Sequence, residues 1–222
     1  VRNGPVVTVD GPSGAGKSTV ARRLADALGY AYMDTGAMYR GLAFAYRARG
    51  NGRPVAAFLE TLALQFDFSG HTKVFLDGLD ISEEIRSPGV SKLASDLSRD
   101  AGVRTYLTVI QRELARSGKV VLEGRDTGSV VFPDAEIKFY LDASPEERAR
   151  RRHAELAARG SGETMAETMA AMTERDRNDT ARDIAPLVVP PGAIRIDTTG
   201  MDIDGVVALL AARVRQVAGA GE

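Results

Sequence analysis

Hydrophobic positions along this chain follow two periods that take turns. Val6-Val7-Thr8-Val9-Asp10 is a short β-branched run, the pattern of a buried strand. Behind it Val20, Leu24 and Leu28 recur at helical spacing, and Gly29 supplies the stop. Further strand-like apolar runs lie at 31–34, 119–123, 136–142 and 193–197. Helical patterns separate them at 37–49, 91–116, 145–160 and 204–217. Strands alternating with helices predict a five-stranded parallel sheet with helices on both faces. Ligands of such sheets bind at the carboxyl ends of the strands.

One stretch breaks the alternation. Residues 62–86 read as three short strands at 64–68, 73–77 and 81–85, with turns at 69–72 and 78–80. Period-two alternation and glycine turns predict a small antiparallel meander. It forms an inserted lobe on a core made of 1–61 and 87–222, so the chain is expected to be one unit. Met165, Met169 and Met172 fall at helical spacing, which reads as packing.

Composition narrows the class. The 222 residues are 44% hydrophobic and 27% charged, as in an ordinary globular protein. With 29 basic and 30 acidic residues the net charge is −1, so no basic nucleic-acid footprint is expected. No cysteine is present, which excludes disulfides, thiolate metal sites and a cysteine nucleophile. Two histidines, His71 and His153, make a multi-histidine metal site improbable. No apolar run approaches the ~20 residues of a membrane span, and no signal-peptide pattern precedes the first strand. No membrane partner and a cytoplasmic setting are the expectation.

Chemistry enters with Gly11-Pro12-Ser13-Gly14-Ala15-Gly16-Lys17-Ser18, which fits G-x-x-x-x-G-K-[ST] between a strand and a helix. In such a loop backbone N–H groups cradle phosphate oxygens and the helix dipole adds positive potential. Lys17 would reach the β- and γ-phosphates of ATP, and the Ser18 hydroxyl would sit on Mg²⁺. Gly11, Ser13, Gly14, Ala15, Gly16, Lys17, Ser18 and Thr19 are therefore the candidate ATP-binding residues.

A phosphate loop serves many functions, so the second substrate must be read from other residues. Arg40 and Arg125 follow predicted strands, with Asp126 beside the second. Arg148, Arg150, Arg151 and Arg152 crowd one helix; Arg175, Arg177 and Arg182 follow among Asp176, Asp179 and Asp183. Planar guanidiniums bind phosphate oxygens bidentately and keep their charge. The helix cluster has two readings. It is a solvated face paired with Glu146, Glu147 and Glu155, or it is a flap, about 148–165, that closes over ATP with Arg151 and Arg152 as catalytic groups.

These motifs join a larger set: Asp34-Thr35-Gly36-Ala37-Met38-Tyr39-Arg40, Glu123-Gly124-Arg125-Asp126-Thr127-Gly128 with Val131-Phe132-Pro133-Asp134-Ala135, and Arg175-Asp176-Arg177-Asn178-Asp179 with Ala185-Pro186-Leu187. Together they resemble the bacterial cytidylate kinases over roughly residues 5 to 215. The resemblance implies an α/β P-loop kinase with an inserted antiparallel lobe and an Arg-rich lid, acting as a monomer. It implies transfer of the ATP γ-phosphoryl group to CMP or dCMP with Mg²⁺. By the same resemblance Arg40 and Arg125 hold the acceptor phosphate with Thr35 nearby, and Ser95, Arg104 and Arg182 face the cytosine. Arg175 and Asp179 reach the sugar, Asp126 lies close to the acceptor, and Lys17 and Arg125 stabilise charge. Some family members carry glycine at the place of Ser18, and many carry serine at that of Thr35.

The chemistry of the base agrees. Cytosine offers an amine donor with O2 and N3 acceptors; arginine donates to the acceptors, and an aspartate or hydroxyl accepts from the amine. Uracil reverses two of these positions and would leave buried groups unpaired. Three rivals remain open on the residues alone. One is another small-acceptor kinase, for AMP, UMP or shikimate. The second is a GTPase switch, for which the guanine-reading Asn-Lys-x-Asp is missing. The third is an ATP-binding module that serves a partner.

Overall fold

Strand runs whose side chains are apolar on both faces can only be stable when covered on both faces, and this sequence places them so. In the computed structural model, which describes residues 2–50, 52–68, 72–158 and 160–219, β1 (Val6–Asp10) is fully buried. It lies at the centre of a five-stranded sheet with β2 (Ala31–Asp34), β6 (Val120–Gly124), β7 (Ile137–Asp142) and β8 (Ile194–Asp197). The order is β2-β6-β1-β7-β8. Every pairing is parallel, with Asp10 opposite Gly124 on one side and Tyr140 on the other.

Alternate residues of each strand enter separate cores. Val6, Val120 and Leu122 join the core formed with α2 (Thr35–Arg49), α4 (Pro88–Leu97) and α5 (Ala101–Leu114). Val7, Val9, Val121 and Phe139 join the opposite core, under α1 (Lys17–Leu28) and α8 (Ile203–Gly219). Two further helices, α6 (Pro145–Ala158) and α7 (Met165–Thr180), pair beside the carboxyl end of the sheet. A short α3 (Val55–Leu59), which no sequence pattern announced, leads into the insert.

Residues in the insert form the expected antiparallel meander: β3 (Leu64–Asp67), β4 (Lys73–Leu76) and β5 (Leu79–Asp80). The third strand is two residues long and starts earlier than the pattern predicts. Asp77 and Gly78 both take positive φ, 51° and 81°, so the hairpin turns on this Asp-Gly pair. Residues 81–85 are then not a strand; Glu84–Arg86 is a 3₁₀ turn. The loop with His71 lies outside the described residues.

The predicted helix over 91–116 is two helices. Asp100 caps the second by accepting from the Val103 N–H at 2.9 Å, which turns the chain between α4 and α5. Met172 packs in the interior as expected, whereas Met165, at the start of α7, is exposed. No helix among the described residues is long and apolar enough to cross a membrane.

Candidate active site

The sheet's carboxyl edge collects the candidate residues because β1, β2 and β6 all end there. Behind β1 the chain enters the Gly-rich loop, and Gly16 caps α1 with φ 83°. Lys17 is buried and curls back to donate to the Pro12 carbonyl at 2.6 Å. Burial lowers its ammonium below the ordinary value, and the nearby Arg125 charge adds to this. Glu123, at the end of β6, moves the other way: burial and the neighbouring Asp34 raise its carboxyl. An arriving polyphosphate would favour the charged form of Lys17.

One continuous cavity runs from this loop past the ends of β2 and β6 to α4, α5 and α7. Gly14, Gly16, Lys17, Ser18 and Thr19 line one end, with Ser13 at its edge. Thr35, Arg40, Arg125 and Asp126 line the middle, and Ser95, Arg104, Arg175, Asp179 and Arg182 close the far end. Arg152 stands on the wall and pairs with Glu155 at 3.1 Å. Gly11 and Ala15, in the same loop, are buried and do not line the cavity. Arg151 does not line the cavity but lies against the phosphate loop, its Nη1 3.6 Å from where a Cβ on Gly16 would stand; its guanidinium donates to Glu147 at 2.8 Å and to the Thr198 side chain and carbonyl at 2.9 and 2.7 Å.

Aspartates hold the arginines in place. Asp179, buried, accepts from Arg125 Nε at 2.9 Å and from Arg182. Arg104, also buried, donates to Asp126 and to the Ser98 carbonyl, and its guanidinium lies 5.7 Å over the Tyr39 ring. Arg40 is steadied by Asp34 at 3.0 Å, the residue that also caps α2. Burial opposes the Arg125 charge, but Asp179 and Glu123 outweigh it and raise its affinity for the proton. Arg175 and Arg182 shift the other way: burial lowers both, Arg175 to about 10 with the Arg125 charge adding to it, and the Nε of each is buried with no hydrogen-bond partner. A buried cation left in that condition is matched to an anion.

Sequence reasoning passed over several residues here. Tyr39 and Glu123 line the cavity, and both sit inside motifs already singled out, at positions facing strand ends. Arg148, by contrast, is structural. It reaches the Ser13 carbonyl at 3.0 Å and Asp176, whose other oxygen accepts from the Ser13 N–H at 3.2 Å. Both α6 and α7 are thereby fastened to one residue of the phosphate loop. The local sequence carries no signal for that contact.

A parallel sheet with a phosphate-binding loop after its first strand, and arginines facing that loop, defines a P-loop kinase. Among solved structures the fold is similar to an uncharacterized protein from Eubacterium ventriosum, with TM-score 0.53 and 10% identity over 95% of this chain and 98% of that one. The family model for cytidylate kinase matches residues 7–216. The chain is 50% identical to the cytidylate kinase of Pelotomaculum thermopropionicum over 95% of its length and 96% of that protein's. It is 45% identical to that of Geobacter sulfurreducens, covering 97% and 94%. The chain belongs to the cytidylate kinase family and is an ATP-dependent phosphotransferase.

Proposed function

We propose that the protein transfers the γ-phosphoryl group of ATP to CMP or dCMP, giving CDP or dCDP and ADP. The observation that carries this reading is one cavity with a phosphate loop at one end and buried, aspartate-held arginines at the other. ATP sits on Gly11 to Thr19, with Lys17 against its terminal phosphates. The acceptor phosphate lies on Arg40 and Arg125 beside Thr35, and Arg175 and Asp179 face the sugar. Ser95, Arg104 and Arg182 face the cytosine, the arginines donating to O2 and N3, and Asp126 lies beside the acceptor. Lys17, Arg125, Arg151, Arg152 and Asp126 form the catalytic group, which works by positioning and charge stabilisation. No covalent intermediate on the protein is required.

Mg²⁺ fits the residues present. Among the described residues no cluster of three or more His or acidic groups is arranged as a metal cage. Mg²⁺ needs none, because it keeps its waters and uses one or two carboxylates with substrate phosphates. Ser18 Oγ donates to Glu123 at 2.9 Å, so a hydroxyl and a carboxylate oxygen already converge beside Lys17. Ser18 and Glu123 would hold the ion, which would supply positive charge to neutralise the phosphates.

The protein acts as a monomer on small-molecule substrates in the cytoplasm, with 62–86 as a lobe and about 148–165 as a lid over one kinase unit. A net charge of −1 supports small-molecule substrates over nucleic acid. The test is ADP release with ATP, Mg²⁺ and CMP, dCMP, UMP, AMP, GMP or shikimate. Turnover confined to CMP and dCMP is expected, with UMP at least about 100-fold poorer in kcat/KM because its hydrogen-bond pattern leaves buried groups unpaired. Comparable values for CMP and UMP would discard the base-site assignment.

A further inference from the structure

Asp10 is a buried carboxylate outside the cavity lining that accepts three hydrogen bonds. It is fully buried at the last position of β1. One oxygen accepts from the Thr127 N–H at 2.9 Å and the Thr127 hydroxyl at 2.8 Å; the other accepts from the Gly128 N–H at 2.7 Å. All three donors belong to one turn, Thr127–Val131, wound with the wide π spacing that is rare in proteins and frequent at functional sites. Burying a carboxylate is costly, and a scaffold could be held at this point by apolar residues instead.

Position along the chain gives this contact its meaning. The residue after Asp10 is Gly11, which opens the phosphate loop. The residues before Thr127 are Arg125 and Asp126, which line the acceptor side. Asp10 and Gly124 are neighbours across the β1–β6 pairing, so the loops leave adjacent strand ends and diverge. Asp10 is the side chain that reaches from the root of one loop to the root of the other. Gly128 is suited to the approach, because a Cβ there would press on Thr8 Oγ1 and lie 3.3 Å from the Asp10 carboxylate.

We infer that Asp10 is a positioning residue that sets the acceptor loop in register with the phosphate loop. Asp10 touches neither substrate. It fixes where Arg125 and Asp126 stand relative to Lys17, so the in-line geometry between donor and acceptor depends on it. The inference rests on the phosphoryl-transfer reading above. Turnover by the unaltered protein tests that reading, and the ratio of variant to unaltered protein tests this one.

Asp10→Asn keeps the shape but sets an amide donor against one backbone N–H. With whichever acceptor the unaltered protein uses, transfer is expected to fall about 100-fold, the cost of a misplacement near 1 Å. ATP and acceptor affinities, each titrated alone by calorimetry, and acceptor-free ATP hydrolysis are expected to stay within about threefold, since each site survives separately. Thr127→Val removes only the hydroxyl bond and is expected to lower transfer about tenfold with the same split. Unchanged transfer in folded Asp10→Asn overturns the inference. So does an equal fall in transfer, hydrolysis and ATP affinity, which would make Asp10 a support of the phosphate loop alone. If Asp10→Asn does not fold, Thr127→Val decides: a selective loss of transfer supports the inference, and unchanged transfer overturns it.

Discussion

Asp126 and Arg104 provide the sharpest test of how the arginine cluster is held. Their side chains are 9% and 6% exposed, yet both line a cavity that water can enter. If the pair behaves as buried, removing one partner strands a charge. Asp126→Ala then leaves Arg104 with the Ser98 carbonyl and the Tyr39 ring but no carboxylate. The expected cost is about 3–5 kcal/mol. For a chain of this size each kcal/mol moves Tm by about 2–4 °C, so the midpoint should fall roughly 6–20 °C. The double change Arg104→Met with Asp126→Leu removes both charges and should recover most of that stability. It should recover no turnover, because the groups assigned to the acceptor are gone. Urea unfolding of Arg104→Met, Asp126→Leu and the double variant gives the cycle, provided the slope is constant. A cost below about 1 kcal/mol for each single variant would place the pair with solvated ones and refute the reasoning.

Gly11→Ala should destabilise by about 3 kcal/mol, since its φ is 148° and the new Cβ would run into the Leu141 carbonyl oxygen; thermal unfolding checks it, and a loss under about 1 kcal/mol would contradict it. Arg150→Ala, at a pair with Glu147 whose arginine is 65% exposed, should leave the unfolding midpoint essentially unchanged. Arg148→Ala, which frees Ser13, should cost about 2 kcal/mol; equal effects of the two would erase the distinction drawn between them. Asp10 predicts a pH dependence of stability. Burial raises its carboxyl from 3.8 to about 6 against the pull of its hydrogen bonds. A raised folded value means the folded state holds the proton more tightly, so this contribution is present in full below 3.8 and is lost as pH rises through about 6. Stability of the wild type relative to Asp10→Asn should therefore fall across that window, and a difference flat with pH would refute it.

Much of this protein is legible locally. The five strands, the phosphate loop and the flanking helices follow from runs and spacings, because burial on both sheet faces leaves a continuous apolar signature over a few residues. The motifs similarly marked Arg40, Arg125 and Asp126 just after strands, where α/β sheets bind ligands, and Asp179 near the end of α7; all four line the cavity. Boundaries set by hydrogen bonds were harder. Asp100 could have been read as a cap that divides 91–116, but the apolar period continues through it. Asp77-Gly78 could have been read as the hairpin turn in place of 78–80, which would have shortened the third strand.

Only the tertiary structure decided which charges work together. Arg148 and Arg151 belong to the same run as Arg152, yet one clasps Ser13, one turns to Thr198, and the third stands on the cavity wall. Helical rotation separates such neighbours, and their partners lie on elements distant in sequence. Asp10 reads as the end of a strand until β6 brings Thr127 and Gly128 against it across more than a hundred residues. The amino-acid sequence determined which elements form and which chemistry they carry, because periodicity and loop motifs are short-range. Pairings among buried charges depend on sheet order and helix placement, and the folded chain alone sets those.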